Sequence, residues 1–208
     1  TNTPSKPFNK IDALHNPPGY GVLPRHKIAI YMSQKTLTLA YLNEDDRAYG
    51  LAGMVISLAS LHATDRIAEV NLDSDGPMVE FSHEYYFPGN PTISPKATWD
   101  NLVSNFHLTT SMVLSNIMAR SLVRMKEEAP KEVMSEIYRE VEREGRDTCE
   151  LEDDEIEQLY NTAMTRMRRL FNNPRLHPAV DEFARILSRR RSLSGLEIRD
   201  ELHYLQLI

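Results

Sequence analysis

The chain has little cysteine and glycine and no long apolar run, and each shortage excludes a class of protein. Its 208 residues include one cysteine, Cys149, so an internal disulfide and a zinc site of several thiolates are both excluded. The eight glycines form no GxxxxGK[ST] or GxGxxG motif, which leaves no glycine-rich cradle for phosphate. No apolar run approaches the roughly 18 residues of a membrane span. We therefore expect a cytoplasmic protein without a membrane segment or a cofactor.

Motifs for nucleophilic catalysis and metal binding are also missing. Neither GxSxG nor HExxH occurs, and Cys149 lies in an acidic run that disfavours its thiolate form. The stretch Asn71–Gly76 resembles the start of a calcium loop, but Pro77 follows it and Ser82 occupies its twelfth position, where calcium needs a carboxylate. We interpret this stretch as a turn and predict no metal site.

Three residues keep an enzyme or a small-ligand binder open as an alternative. His83 and Glu84 lie on a predicted strand, and His107 lies on a predicted helix. They could converge in a pocket between the sheet and the central helix. A working site there would also need neighbouring side chains that orient these three. The other interpretation is that all three occupy ordinary polar positions.

The first ninety residues predict a small sheet. Residues 1–25 contain five prolines and read as an extended arm that could pack on a neighbouring copy. Alternating apolar residues then predict two hairpins with a helix between them, giving a ββαββ region over residues 26–92. The predicted strands are 27–32, 36–42, 66–72 and 78–87.

From Trp99 onward the sequence predicts only helices, about five of them, over residues 93–208. Two apolar stripes predict a buried central helix at 98–126 that packs on the sheet. The helix near 152–172 is the best specified, because acids at its start and arginines at its end complement the helix dipole and its apolar residues recur at core spacing. Gly145 marks the expected end of the helix before it, and Ser194 with Glu197 predicts a capping box for the last helix. The sequence therefore predicts an α+β fold, with a helical region packed on a small antiparallel sheet as one compact unit.

Acidic and basic residues are sorted into consecutive blocks near the C-terminus. Residues 127–157 carry 14 Asp and Glu against 4 Lys and Arg, a net charge of −10. Residues 158–208 carry 9 Arg and no Lys against 5 acids, a net charge of +4. Such blocks can attract each other within the chain, or each can bind its own partner.

The arginines are the sharpest candidates for binding, because arginine pairs bidentately with carboxylate and phosphate. One interpretation is that they pair with the acidic helix predicted at 130–157 or complement helix C-termini. The alternative is a nucleic-acid-binding patch. A helix-turn-helix over 176–206 is disfavoured, because its second helix would be acidic. The candidate partner- or phosphate-binding residues are Arg166, Arg169, Arg189, Arg190 and Arg191.

The leading hypothesis is a non-enzymatic protein-interaction or scaffold protein that self-associates. It depends on the proline-rich arm, on the charge-sorted helices and on the lack of a catalytic motif. Its expected partner is protein, with a homo-oligomer first, and nucleic acid is the alternative partner.

Overall fold

The computed structural model describes residues 40–86 and 95–208. A 3-10 turn at Thr64–Arg66 precedes the first strand, and a π-helical segment at Ala119–Met125 continues the long helix. The α-helices are α1 (Glu44–Ser60), α2 (His83–Tyr86), α3 (Pro95–Met118), α4 (Lys131–Cys149), α5 (Asp153–Phe171), α6 (His177–Arg190) and α7 (Gly195–Tyr204). The strands are β1 (Ile67–Asn71), β2 (Val79–Phe81) and β3 (Ser192–Ser194).

The three strands form one antiparallel sheet in the order β2-β1-β3. Val70 at the centre of β1 pairs with Val79 on one side and with Leu193 on the other. All three side chains are buried, so the sheet has one apolar face. The predicted α+β class, a small antiparallel sheet with a helical C-terminal part, is confirmed.

The source of the third strand differs from the prediction. It comes from the joint between α6 and α7, where the sequence predicted only a short connection, because three residues are too few to show an alternating pattern. This strand also replaces the turn that a helix-turn-helix would need. Most of the first predicted hairpin, with the arm before it, lies outside the described residues. Within it, residues 40–42 are described and are not in a strand.

The predicted strand 78–87 is wrong in its second half. The strand ends at Phe81, and His83–Tyr86 form the short helix α2. The alternation that suggested a strand has another cause, because Phe81 and Tyr85 stack with ring centroids 3.8 Å apart. A spacing of four residues brings two rings together across a turn, whereas in a strand it would separate them.

α1 and α3 approach each other closely through small residues. A Cβ on Gly53 would lie 2.4 Å from the carbonyl oxygen of Ser115 and 2.7 Å from the Cβ of Ala119. A Cβ on Gly50 would meet the side-chain amide of Asn116 at 2.7 Å. The small residues of α1 thus fit it against the central helix.

The central helix packs mainly against α1, α4 and α5. It reaches the end of the sheet through Asn105, whose side chain accepts a hydrogen bond from Arg66 and donates one to the carbonyl of Tyr85. Arg66 precedes β1 and Tyr85 follows β2, so Asn105 contacts the segments beside the sheet. Helices surround most of the central helix.

α4 and α5 are amphipathic helices that pack on each other and on α3. The buried positions of α5 match the core spacing that the sequence predicted. They are Ile156, Tyr160, Ala163, Met167 and Phe171. Gly145 does not end α4, which runs on to Cys149. Its missing side chain instead makes room for Ile156, because a Cβ there would lie 2.8 Å from Ile156 Cγ1.

Candidate interaction surfaces

The three consecutive arginines at the C-terminal end of α6 all pair with carboxylates of the same chain. Arg189 lies 3.4 Å from Glu182 on its own helix. Arg190 pairs with Glu197 on α7 and lies 3.7 Å from Glu201. The capping box predicted at the start of α7, between Ser194 and Glu197, is present.

Arg191 joins three parts of the chain. Its guanidinium pairs with Asp73 in the β1–β2 turn and with Glu44 at the start of α1, the latter at 2.5 Å. The hydrogen bond from Arg191 lowers the pKa of Asp73, and both carboxylates raise the pKa of Arg191. The carbonyl of Arg191 accepts a hydrogen bond from the backbone N–H of Leu72 at 2.7 Å. The residue has φ of 68°, which a non-glycine residue rarely adopts.

Arg166 and Arg169 lie on the exposed side of α5, away from these pairs. Arg166 donates to the carbonyl of Ser60, at the end of α1, at 2.6 Å. Arg169 has no ion-pair partner among the residues that the structure describes. The structure therefore separates the five candidate arginines into a paired group at the C-terminal end of α6 and a second group on the exposed side of α5. None of the five forms an ion pair with the acidic segment 127–157.

The acidic segment keeps most of its charge uncompensated at the surface. Within the described part of the chain, its ion pairs involve only four of its acids, namely Glu128, Glu140, Glu142 and Asp153. α4 buries one narrow stripe of four residues, so its acids lie around the remaining circumference. Acids therefore outnumber cations on the surface that residues 127–157 form, which comprises the residues just before α4, α4 itself and the start of α5.

Two of the three residues of the alternative pocket lie on α2, and the third lies on α3. His83 is the exposed first residue of α2, and Glu84 follows it in the same helix. His107 is partly buried on α3, where burial, together with the nearby charge of Arg166, lowers its pKa. Asn105, two residues before His107, contacts the α2 segment. Residues two apart do not share a helix face, so His107 does not lie on the face of α3 that Asn105 presents to α2.

A buried polar cluster joins the start of α1 to the end of the central helix. Asp46 is 1% exposed and accepts hydrogen bonds from Arg120 at 2.6 and 2.9 Å. Arg124 reaches the other oxygen of Asp46 at 3.3 Å and Asp45 at 2.6 Å. Arg120 also stacks over the ring of Tyr41, 4.7 Å from its centroid.

Both arginines of this cluster belong to the π-helical segment, a form that often occurs at functional sites. Burial raises the pKa of Asp46. The hydrogen bonds from Arg120 and from the N–H of Leu42, with the charges of Arg120 and Arg124, outweigh that effect and hold its pKa below the ordinary value. Asp46 is therefore a carboxylate in the fold, and the cluster ties α1 to α3.

An open cleft of about 450 Å³ lies beside this cluster. Residues from the start of α1, the β1–β2 turn and the α6–β3 joint line it. They are Ala40, Tyr41, Asn43, Glu44, Arg47, Leu72, Asp73 and Arg191. The sequence analysis missed the cleft and the buried cluster, because both depend on residues far apart in the chain.

Other groups with chemical potential are placed as follows. Cys149 is buried, and burial with the charge of Glu144 raises the pKa of its thiol to about 12, which keeps it protonated at neutral pH. In residues 40–86 and 95–208, no three His, Cys, Asp or Glu side chains lie together as metal ligands would. None of the helices described is both long and apolar enough to cross a bilayer.

Comparison with known proteins gives no relative from which a function can be transferred. No family model matches the chain, and no curated protein is significantly similar to it.

Proposed function

We propose that the chain is a non-enzymatic protein-interaction module whose acidic surface on α4 and the start of α5 binds a basic protein segment. The observation that carries this proposal is the unequal compensation of the two charge blocks. Arg189, Arg190 and Arg191 meet carboxylates of the same chain, whereas most acids of 127–157 do not meet cations. Complementary charge increases the rate and the specificity of association.

The negative charge of this surface favours a basic protein over nucleic acid, because phosphate would be repelled from it. Long arginine and lysine side chains can reach between the rows of acids on α4 and lie along its partly buried flanks. We expect micromolar binding that weakens as salt is added, because exposed ion pairs contribute only about 0.2–1 kcal/mol each and are screened.

The test is fluorescence anisotropy with a labelled arginine-rich peptide at several salt concentrations. One variant combines Glu127→Gln, Glu132→Gln and Asp147→Asn, which removes three exposed charges from the acidic surface. The matched control combines Asp75→Asn, Glu80→Gln and Asp200→Asn, which removes three exposed charges elsewhere. We expect only the first variant to weaken binding markedly. Equal losses in both variants, or no binding to the unmodified chain, would contradict the proposal.

The nucleic-acid alternative stays a prediction of the sequence. Its candidate residues are Arg189, Arg190 and Arg191, and a labelled oligonucleotide titrated at low salt tests it. Because these side chains already form ion pairs with carboxylates of the same chain, we expect no salt-sensitive binding of the oligonucleotide.

A further inference from the structure

α5 presents a continuous exposed face opposite its buried side. The residues of this face recur at helical spacing, and every one of them is exposed. They are Asp154, Glu155, Gln158, Asn161, Thr162, Thr165, Arg166 and Arg169. The last six line an open hollow of about 740 Å³.

The charges on this face are sorted by position along the helix. Asp154 and Glu155 lie at the N-terminal end, and Arg166 and Arg169 lie at the C-terminal end. The side chains of the face between them are uncharged amides and hydroxyls. Neither Asp154 nor Arg169 has an ion-pair partner in residues 40–86 or 95–208. The face therefore carries two complementary ends that the same helix cannot bring together.

The arrangement is self-complementary about its centre. Asp154 lies seven residues before Asn161, and Arg169 lies seven residues after Thr162. Gln158 and Thr165 lie three residues from the same two central positions. When two copies of α5 pack antiparallel about a two-fold axis between Asn161 and Thr162, Asp154 of each copy faces Arg169 of the other.

Three further features favour this packing. Glu155 and Arg166 share one flank of the face, so they add a second opposite-charge pair at each end. The side chains near the centre, Asn161 and Thr162, are short and allow the helices to approach. Opposed helices also bring the positive end of each dipole near the negative end of the other. A two-fold contact between identical surfaces is the commonest form of homo-oligomer.

We propose that the chain forms a two-fold symmetric dimer through the exposed face of α5, with the Asp154–Arg169 pair formed twice. This deepens the proposed function, on which it rests, because it names a second copy of the chain as one protein partner. One helix face is smaller than the roughly 800 Å² per partner of a standard interface, so the dimer is weak and sensitive to salt.

The test is sedimentation equilibrium of the full chain over a wide concentration range at low salt. Arg169→Glu and Asp154→Arg each place like charges opposite each other twice, and we expect each to weaken dimerisation about 10-fold or more. The double variant Asp154→Arg/Arg169→Glu restores opposite charges and should dimerise like the unmodified chain. A mixture of the two single variants should form a heterodimer, although neither dimerises alone. Arg199→Glu, an exposed charge reversal on α7, serves as the control and should change nothing.

Two outcomes would overturn the proposal. One is an unmodified chain that stays monomeric throughout the range, and the other is a folded double variant that fails to recover dimerisation. All the substituted side chains are exposed, so circular dichroism should show the same helix content in every variant. Failure here leaves the peptide-binding test intact, because that test changes residues of the acidic surface outside α5. If the chain dimerised normally but did not bind the peptide, the proposed acidic docking surface would be contradicted and the dimer proposal would stand.

Discussion

The α1–α3 pair and the α4–α5 pair show two different ways of joining helices within one chain. α1 meets α3 through glycines and a buried ion pair, so its contact is close and partly polar. α4 meets α5 through narrow apolar stripes that include Ile137 and Ile156, and both helices keep their charges outside. The first pair has no room for added atoms, whereas the second leaves a charged surface available for a partner.

The largest expected effect comes from removing the carboxylate that joins α1 to the central helix. Asp46→Ala leaves Arg120, whose side chain is only 11% exposed, without its partner. Breaking a buried pair on one side typically costs 3–5 kcal/mol, and we expect about 3 kcal/mol because Arg124 retains Asp45. Urea unfolding followed by circular dichroism measures the change. A loss below about 1 kcal/mol would show that the polar cluster contributes little to the α1–α3 contact.

Two glycine substitutions compare the helix pairs directly. Gly53→Ala places a methyl group against the backbone oxygen of Ser115, which cannot move without shifting α3. We expect a cost of about 2–3 kcal/mol from this overpacking. Gly145→Ala meets mainly the side-chain atoms of Ile156 and Phe106, which can adjust. It should therefore cost about 1 kcal/mol, and equal costs in the same unfolding assay would contradict the distinction between the pairs.

The pH dependence of stability should differ between the unmodified chain and Asp46→Asn. The pKa of Asp46 is lower in the fold than its ordinary value of 3.8. As pH falls, Asp46 is therefore protonated in the unfolded chain before it is protonated in the folded one. Its carboxylate makes its full contribution to stability above the ordinary pKa of 3.8. That contribution is lost as pH falls through the folded pKa. Unfolding free energies of the two proteins should converge below about pH 4, and a constant difference would exclude this origin.

The smallest effect is expected on the exposed side of the α4–α5 pair. Arg146 bridges Glu142 and Asp153 and thereby links the two helices at their surface. Its side chain is 48% exposed, so Arg146→Gln should cost no more than about 0.5 kcal/mol. A loss as large as that of Gly145→Ala would mean that surface charge, not the apolar stripe, holds this pair together. The same urea unfolding assay measures this loss.

Sequence reasoning was most accurate where local periodicity determines the structure. The buried residues of α5 and the capping box of α7 follow from spacing alone. It failed where contacts between distant residues determine the structure. β3 has only three residues, and Asp46 lies 74 residues before its partner Arg120 in the sequence. Among the three acids that begin α1, only Asp46 lies on the small-residue stripe with Gly50 and Gly53. That position was the available signal that this acid differs from its neighbours.

The candidate surfaces were predictable in composition but not in arrangement. The arginines of 158–208 stand out in the sequence, yet only the fold separates the paired Arg191 from the exposed Arg169. The partners of Arg191, Glu44 and Asp73, come from distant segments that no local pattern links to it. The self-complementary order along α5 is readable in the sequence once the buried side of the helix is known.

The long separation of β3 from β1 along the chain has a consequence for synthesis on the ribosome. Ser192 of β3 bonds to Glu69 of β1, a separation of 123 residues. One edge of β1 therefore stays unpaired until the ribosome has added the residues that lead to β3. An open strand edge invites association with other chains, so a chain truncated before Ser192 should yield an insoluble product.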